Sequence, residues 1–149
     1  MAPPRPGIDG DGLAAGALLL AGLVAEIRAT ASEAQRGALL RATGGRIAAL
    51  APMTGVDDLT ALTGRVNEFW ALHHCGSARF ALDDDGILIT HIGLPVTLGL
   101  LVGGRMELIL RPVLEGIYGG WMRQMGAGQA LRTRTIRWND AEIRLKHGR

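Results

Sequence analysis

Cysteine, lysine and aromatic rings are all scarce in this chain. Cys75 is the only cysteine in 149 residues, which excludes an intrachain disulfide and any zinc motif built from cysteine pairs, and fits a reducing compartment. Aromatic residues make up 4%, namely three Trp, two Phe and one Tyr, which leaves few of the stacking platforms that single-stranded nucleic acid uses. A single lysine, Lys146, stands beside fifteen arginines, and charged residues total only 20%. Membrane-length apolar runs are missing as well. The stretch GLAAGALLLAGLVAEI falls short of the ~20 residues that span a bilayer, and Asp9 and Asp11 directly precede it, with only Arg5 upstream. That acidic flank opposes the positive start of a signal peptide, so the segment reads as a core helix.

What is present is a surplus of apolar side chains. At 48% hydrophobic residues, a 15.8 kDa chain can bury about two-thirds of its unfolded surface and still hold apolar area for an intersubunit contact. Self-association is the first expectation. The net charge of +2 is unevenly spread: residues 131–149 carry six cations and two anions, and residues 1–130 carry ten and twelve. Solvated strands account for such a basic end more simply than a nucleic-acid or membrane surface does.

Residues 1–12, MAPPRPGIDGDG, hold three prolines and three glycines and predict an extended arm ahead of a single domain at 13–149. From Leu13 to about Ala29 the apolar positions are nearly continuous, as in a helix buried on most sides. Ser32 and Gln35 form a capping-box pattern at the start of a second helix, and Pro52 follows its end. Asp57 and Asp58 open a third, in which Leu59, Leu62, Val66, Phe69 and His73 repeat at three and four. ARFAL and GILITHI flank Asp83 to Gly86, an Asp-Gly hairpin signal. The apolar pattern from Gly93 to Gly104 fits strand, loop or helix. Pro112 suits a first turn, so a fourth helix is expected from near Arg111 or, with an earlier turn, from Met106. Alternation around Asn139-Asp140 predicts a second hairpin. The sum is an α+β fold: about four helices packed on a four-stranded antiparallel sheet made of two hairpins.

Catalytic constellations are not legible. His73, His74 and Cys75 are adjacent on a helix end and point about 100° apart, which does not suit one metal ion. Cys75 with His91 lacks any local nucleophile signature. Asp83, Asp84 and Asp85 lack the spacing of a calcium loop, and Gly44-Gly45 and Gly103-Gly104 lack the lysine and hydroxyl of a phosphate loop. No cofactor, no metal and no enzymatic activity are expected. In RPVLEGIYGGWMRQMGA, Gly119 and Gly120 weaken a helix interior by about 2 kcal/mol relative to alanines, so close packing should offset them. Either Gly116, Gly119 and Gly120 admit a helix of another protomer, with Tyr118 and Trp121 anchoring that oligomer interface, or both aromatics lie in the core of one protomer.

The run Pro112-Val113-Leu114-Glu115-Gly116-Ile117-Tyr118-Gly119-Gly120-Trp121 resembles the Pro-Val-Leu-Glu-Gly-Leu-Tyr-Gly-x-Trp signature of the D-subunit family of bacterial cellulose synthase complexes. LLLAGLVAEI is similar to that family's first helix, LLRATGGRIAAL to its second, and GSARFAL through GLP to its first hairpin. Gly120, Cys75 and the segment from Pro95 to Pro112 depart from the pattern. The resemblance implies a non-catalytic accessory component that aids export and crystallisation of β-1,4-glucan. It also implies a cylindrical homo-octamer, a tetramer of dimers, whose inner passages are lined by N-terminal segments. Partners would be the cellulose synthase complex, a proline-rich scaffold protein and the glucan itself, with no nucleic acid. The expected place is cytoplasmic, near the inner membrane at the synthase, with the periplasm as the alternative. On this chain the passage would be lined by Arg5, Gly7, Asp9 and Asp11, whose arm offers polar groups and no aromatic ring to trap a sugar; a ligand-free terminus is the competing reading. A small-ligand-binding α+β sensor or scaffold module without glucan binding is the alternative function.

Overall fold

The computed structural model describes residues 10–95, 98–101, 106–139 and 141–149. Four long helices, one single-turn helix and four strands follow one another as α1 (Gly10–Thr30), α2 (Glu33–Ala48), α3 (Leu59–Leu72), β1 (Ser77–Asp83), β2 (Gly86–Ile92), α4 (Leu98–Leu101), α5 (Met106–Gln124), β3 (Arg132–Trp138) and β4 (Glu142–Gly148). The α+β class and both hairpins match the sequence expectation. The sheet is antiparallel throughout in the order β1-β2-β4-β3, so the hairpins join through β2 and β4 with Ile89 opposite Leu145 and His91 opposite Ile143. These four side chains alternate onto one face and are buried.

Local chemistry explains the element ends. The Ser32 hydroxyl accepts from the Gln35 amide and the Gln35 side chain accepts from the Ser32 amide, closing the predicted capping box. Asp58 caps α3 by accepting from the Ala61 amide at 2.7 Å. Asn67 on α3 both donates to the Ala78 carbonyl and accepts from its amide, which pins α3 to β1. The chain leaves α3 through His74 at φ 54° and Gly76 at φ 85°; at Gly76 a Cβ would also strike the Ile92 carbonyl.

Two expectations need correction. α1 begins at Gly10, so the last three residues of the supposed arm are helical. Its apolar run is not buried on most sides: within one chain only Val24 is buried among its described residues, in a small cluster with Leu40 and Ile109. α5 starts at Met106, the earlier of the two starts the sequence allowed, which places Pro112 inside the helix and leaves the Leu108 carbonyl without its intrahelical amide. In the first hairpin Asp84 and Asp85 make the turn, and Gly86 is needed because a Cβ there would meet the His147 carbonyl of β4. The pattern left open between Gly93 and Gly104 contains the single turn α4.

The tightest packing lies between α2 and α5. A Cβ on Gly44 would collide with the Val113 carbonyl, a Cβ on Gly116 with the Arg41 carbonyl, and one on Gly120 would sit 2.8 Å from the Ala48 methyl. The small residues recur at four-residue spacing on both helices, so the two backbones touch along one stripe. Gly116→Ala is therefore expected to cost about 2–3 kcal/mol in denaturant unfolding, because the obstacle is main chain. Gly64→Ala, on the exposed face of α3 where nothing lies within 4 Å, should instead gain about 0.5–1 kcal/mol. Equal responses of the two variants would refute the backbone-contact reading.

Candidate functional site

The glycine-aromatic stretch serves a contact inside one chain. Gly116 and Gly120 face α2 of the same chain, a Cβ added at Gly119 would lie 3.4 Å from the Thr133 hydroxyl, and Tyr118 and Trp121 are fully buried. Of the two sequence readings of these five residues, the structure places them in the core of one chain rather than on its surface. Trp121 Nε1–H donates to the Ala48 carbonyl at 3.1 Å, satisfying one of the last acceptors of α2, and its ring meets Phe69, Trp70 and Tyr118 edge-on at centroid distances of 5.5–5.6 Å.

A relay of buried polar groups runs through this core. Trp70 Nε1–H donates to the Tyr118 hydroxyl at 3.2 Å, that hydroxyl donates to His91 Nδ1 at 2.6 Å, and His91 Nε2–H donates to the Cys75 carbonyl at 2.8 Å. Each hydrogen has an acceptor only if His91 is neutral with its proton on Nε2. Burial, partly offset by the Cys75 carbonyl, pushes the His91 pKa down to about 4, and burial pushes the Tyr118 hydroxyl upward. The His91 ring thus addresses the Cys75 main chain, while the thiol itself donates to the His73 carbonyl at 3.3 Å; burial raises its pKa. That is not a nucleophile and its base. His73 stacks on Phe69 at 4.4 Å and bonds the Phe69 carbonyl, and among the described residues no group of three His, Cys, Asp or Glu side chains converges. Lys146 lies across the Asp83–Asp85 turn, 2.9 Å from Asp83 and also paired with Asp85; its hydrogen bond holds the Asp83 carboxyl below the usual range.

At the other edge of the sheet Glu115 is 8% exposed and bridges three elements. Its Oε2 accepts from Arg41 Nε of α2 at 3.1 Å and its Oε1 from the Thr135 amide of β3 at 2.9 Å. The bond falls beside an irregularity between Thr135 and Arg137, so the carboxylate occupies part of the edge that β3 does not share with β4.

The surface carries two features that periodicity did not single out. On α1, Leu18, Leu19 and Leu23 are 77%, 66% and 54% exposed, and Leu39 of α2 and Leu108 of α5 are exposed too. A signal existed in Leu19 and Leu23, four apart with only Leu20, Ala21 and Gly22 between them, but it reads equally as core. The second feature is a trough lined by arginines from α2, α5, β3 and the chain end. Of the expected passage residues, Arg5, Gly7 and Asp9 lie outside the described residues. Asp11 falls in the first turn of α1, and its side chain is also outside them.

The His91 relay sets a pH dependence. The unfolded chain binds the His91 proton below the ordinary value of 6.5 and the folded chain only below about 4, so stability is complete above pH 6.5 and falls as pH drops through that window. The loss attributable to this group is about 3 kcal/mol. In His91→Gln, which cannot titrate, the difference in unfolding free energy between pH 7 and pH 4 should shrink by about that amount. An unchanged difference would show that other groups drive it.

No curated protein matches the chain. The profile of the family described as the D subunit of cellulose synthase matches residues 14–148, from α1 through β4. That span covers nearly the whole chain, including the buried signature helix α5 and both hairpins, and the chain belongs to the cellulose synthase D-subunit family.

Proposed function

We propose that this accessory component of a cellulose synthase complex works as a non-catalytic, self-assembled cylinder: a homo-octamer, arranged as a tetramer of dimers, that guides β-1,4-glucan chains outward and aids their crystalline assembly. The accessory role follows from the family. The observation that carries the rest is the bare apolar face of α1. Three leucines at 77%, 66% and 54% exposure, clustered within two turns of one helix, form the kind of contiguous apolar patch that marks an interaction surface. A second copy of the chain offers the same face, and a two-fold axis covers both at once.

In this reading the residues ahead of α1, together with its first turn, line the lumen, with Arg5, Gly7, Asp9 and Asp11 facing a passage for glucan. Their polar groups can exchange hydrogen bonds with sugar hydroxyls, and the absence of aromatic rings from residues 1–12 leaves nothing on which a pyranose would stack and stall. The cylinder would sit on the cytoplasmic side of the inner membrane beside the synthase, held by a proline-rich scaffold protein. Among the described residues no helix is long and apolar enough to cross a membrane, in keeping with attachment through partners.

Light scattering coupled to size exclusion tests the assembly. A mass of about 126 kDa, eight copies of the 15.8 kDa chain, is expected, and Leu19→Glu/Leu23→Glu should reduce it while leaving the fold intact, since both side chains are exposed in one chain. A monomer at every concentration, or an octamer indifferent to that double variant, would overturn the reading. For the passage, Asp9→Ala/Asp11→Ala should weaken cellohexaose binding, measured by saturation-transfer NMR on the intact assembly, with no change of mass. Unaltered binding would remove these residues from any glucan contact.

A further inference from the structure

Outside the core and the bare face of α1, a strongly charged trough lies beside β3. Arg41 and Arg46 on α2, Arg123 on α5, Arg132 and Arg134 on β3, and Arg149 line it, and all six are exposed. They come from segments far apart in sequence, so the concentration of charge is a product of the fold. Among the described residues only Arg41 of these six has a carboxylate within ion-pair distance, and that carboxylate is Glu115. The other five guanidinium groups outnumber the one carboxylate side chain, Glu115, in the described lining. Their field reaches nearby groups: burial, and then the charge of Arg123, holds the His147 pKa below its ordinary value.

Glu115 shows what this trough holds well. It lies in the trough wall, gripped by one guanidinium at 3.1 Å and by a main-chain amide of the β3 edge at 2.9 Å. A fork-shaped donor plus an edge amide is the arrangement that a carboxylate on an extended chain meets when it lies along a strand. The same elements continue past Glu115, with Arg132 and Arg134 spaced two apart along β3 as successive same-side residues of a strand are. We propose that the trough is the docking site for an acidic, extended polypeptide segment of a partner protein, whose Asp or Glu side chains pair with Arg46, Arg123, Arg132 and Arg134. This inference does not depend on the glucan-passage reading.

Other anions fit less well. Single-stranded nucleic acid needs ring platforms, and no aromatic side chain lines the trough; Trp138, at the far end of β3, packs against the core. A bilayer surface is flat and calls for apolar anchors, whereas this is a concave channel of about 1250 Å³ floored by Gly45, Gly116, Gly119 and Thr133. It is open to solvent, unlike the enclosed pocket in which small ligands are mostly buried.

The test is fluorescence anisotropy with a labelled 15-residue Glu/Asp-rich peptide, against an oligothymidylate of equal charge and vesicles containing anionic lipid, using the full chain at 0.15 M salt. Saturable peptide binding is expected, tighter than either competitor. Arg132→Gln/Arg134→Gln should weaken it at least ten-fold. The charge-matched Arg79→Gln/Arg137→Gln, exposed and outside the trough, should change it less than two-fold. Thermal melts of both variants control for folding. No saturable peptide binding, equal losses in the two double variants, or a preference for the oligonucleotide or the vesicles would each overturn the proposal.

Discussion

The contact between α2 and α5 is the constraint from which the rest of the protomer is built. Where Gly44 and Gly116 meet, each helix touches the other's main chain, and no side chain larger than hydrogen fits. The intrinsic helix propensity lost at these glycines is recovered as close dispersion contact over the whole stripe. Once that face of α5 is committed, the opposite face can only turn toward the sheet and α3, which carries Tyr118 and Trp121 into the aromatic cluster. The flank between the two faces brings Glu115 to the edge of β3. One helix is therefore enclosed over most of its length, and its eleven buried residues include one charged side chain, which is hydrogen-bonded on both oxygens.

The polar groups enclosed by this packing act as orienting pins. His91, 0% exposed on β2, is joined through Tyr118 to α5 and α3 and through the Cys75 carbonyl to the α3–β1 connection. A neutral imidazole with both nitrogens engaged admits a single arrangement of these elements, at the expense of a pH-sensitive core. Together with the Asn67 clamp on Ala78, the relay makes the α3–sheet relationship specific where apolar packing alone would tolerate sliding. The chain thus combines a closely pinned interior with an exposed apolar face on α1, and it belongs to the cellulose synthase D-subunit family.

Much of the local structure was legible from the residues. The Ser32 capping box, the Asp58 cap, the amphipathic run of α3 and the two hairpins depend on neighbours within four or five positions, and each lies where its pattern put it. The glycine-aromatic run demands a close neighbour, but the identity of that neighbour was not readable. A helix of another protomer and α2 would impose the same composition on α5. The resemblance of Pro112 to Trp121 to the family signature located the family without locating the contact.

Sequence alone therefore determined where the chain turns, caps and alternates, because those choices are settled by hydrogen bonds and sterics between residues close along the chain. It could not say which apolar faces meet. Both α1 and α5 carry long apolar stretches, yet one lies bare and the other is enclosed. Likewise, the trough arginines come from segments more than seventy residues apart, from Arg41 to Arg132 and Arg134, and converge only when α2 and β3 pack on either side of α5. Periodicity reports that a face is apolar or charged; what covers it depends on long-range packing, and only the tertiary structure decided that.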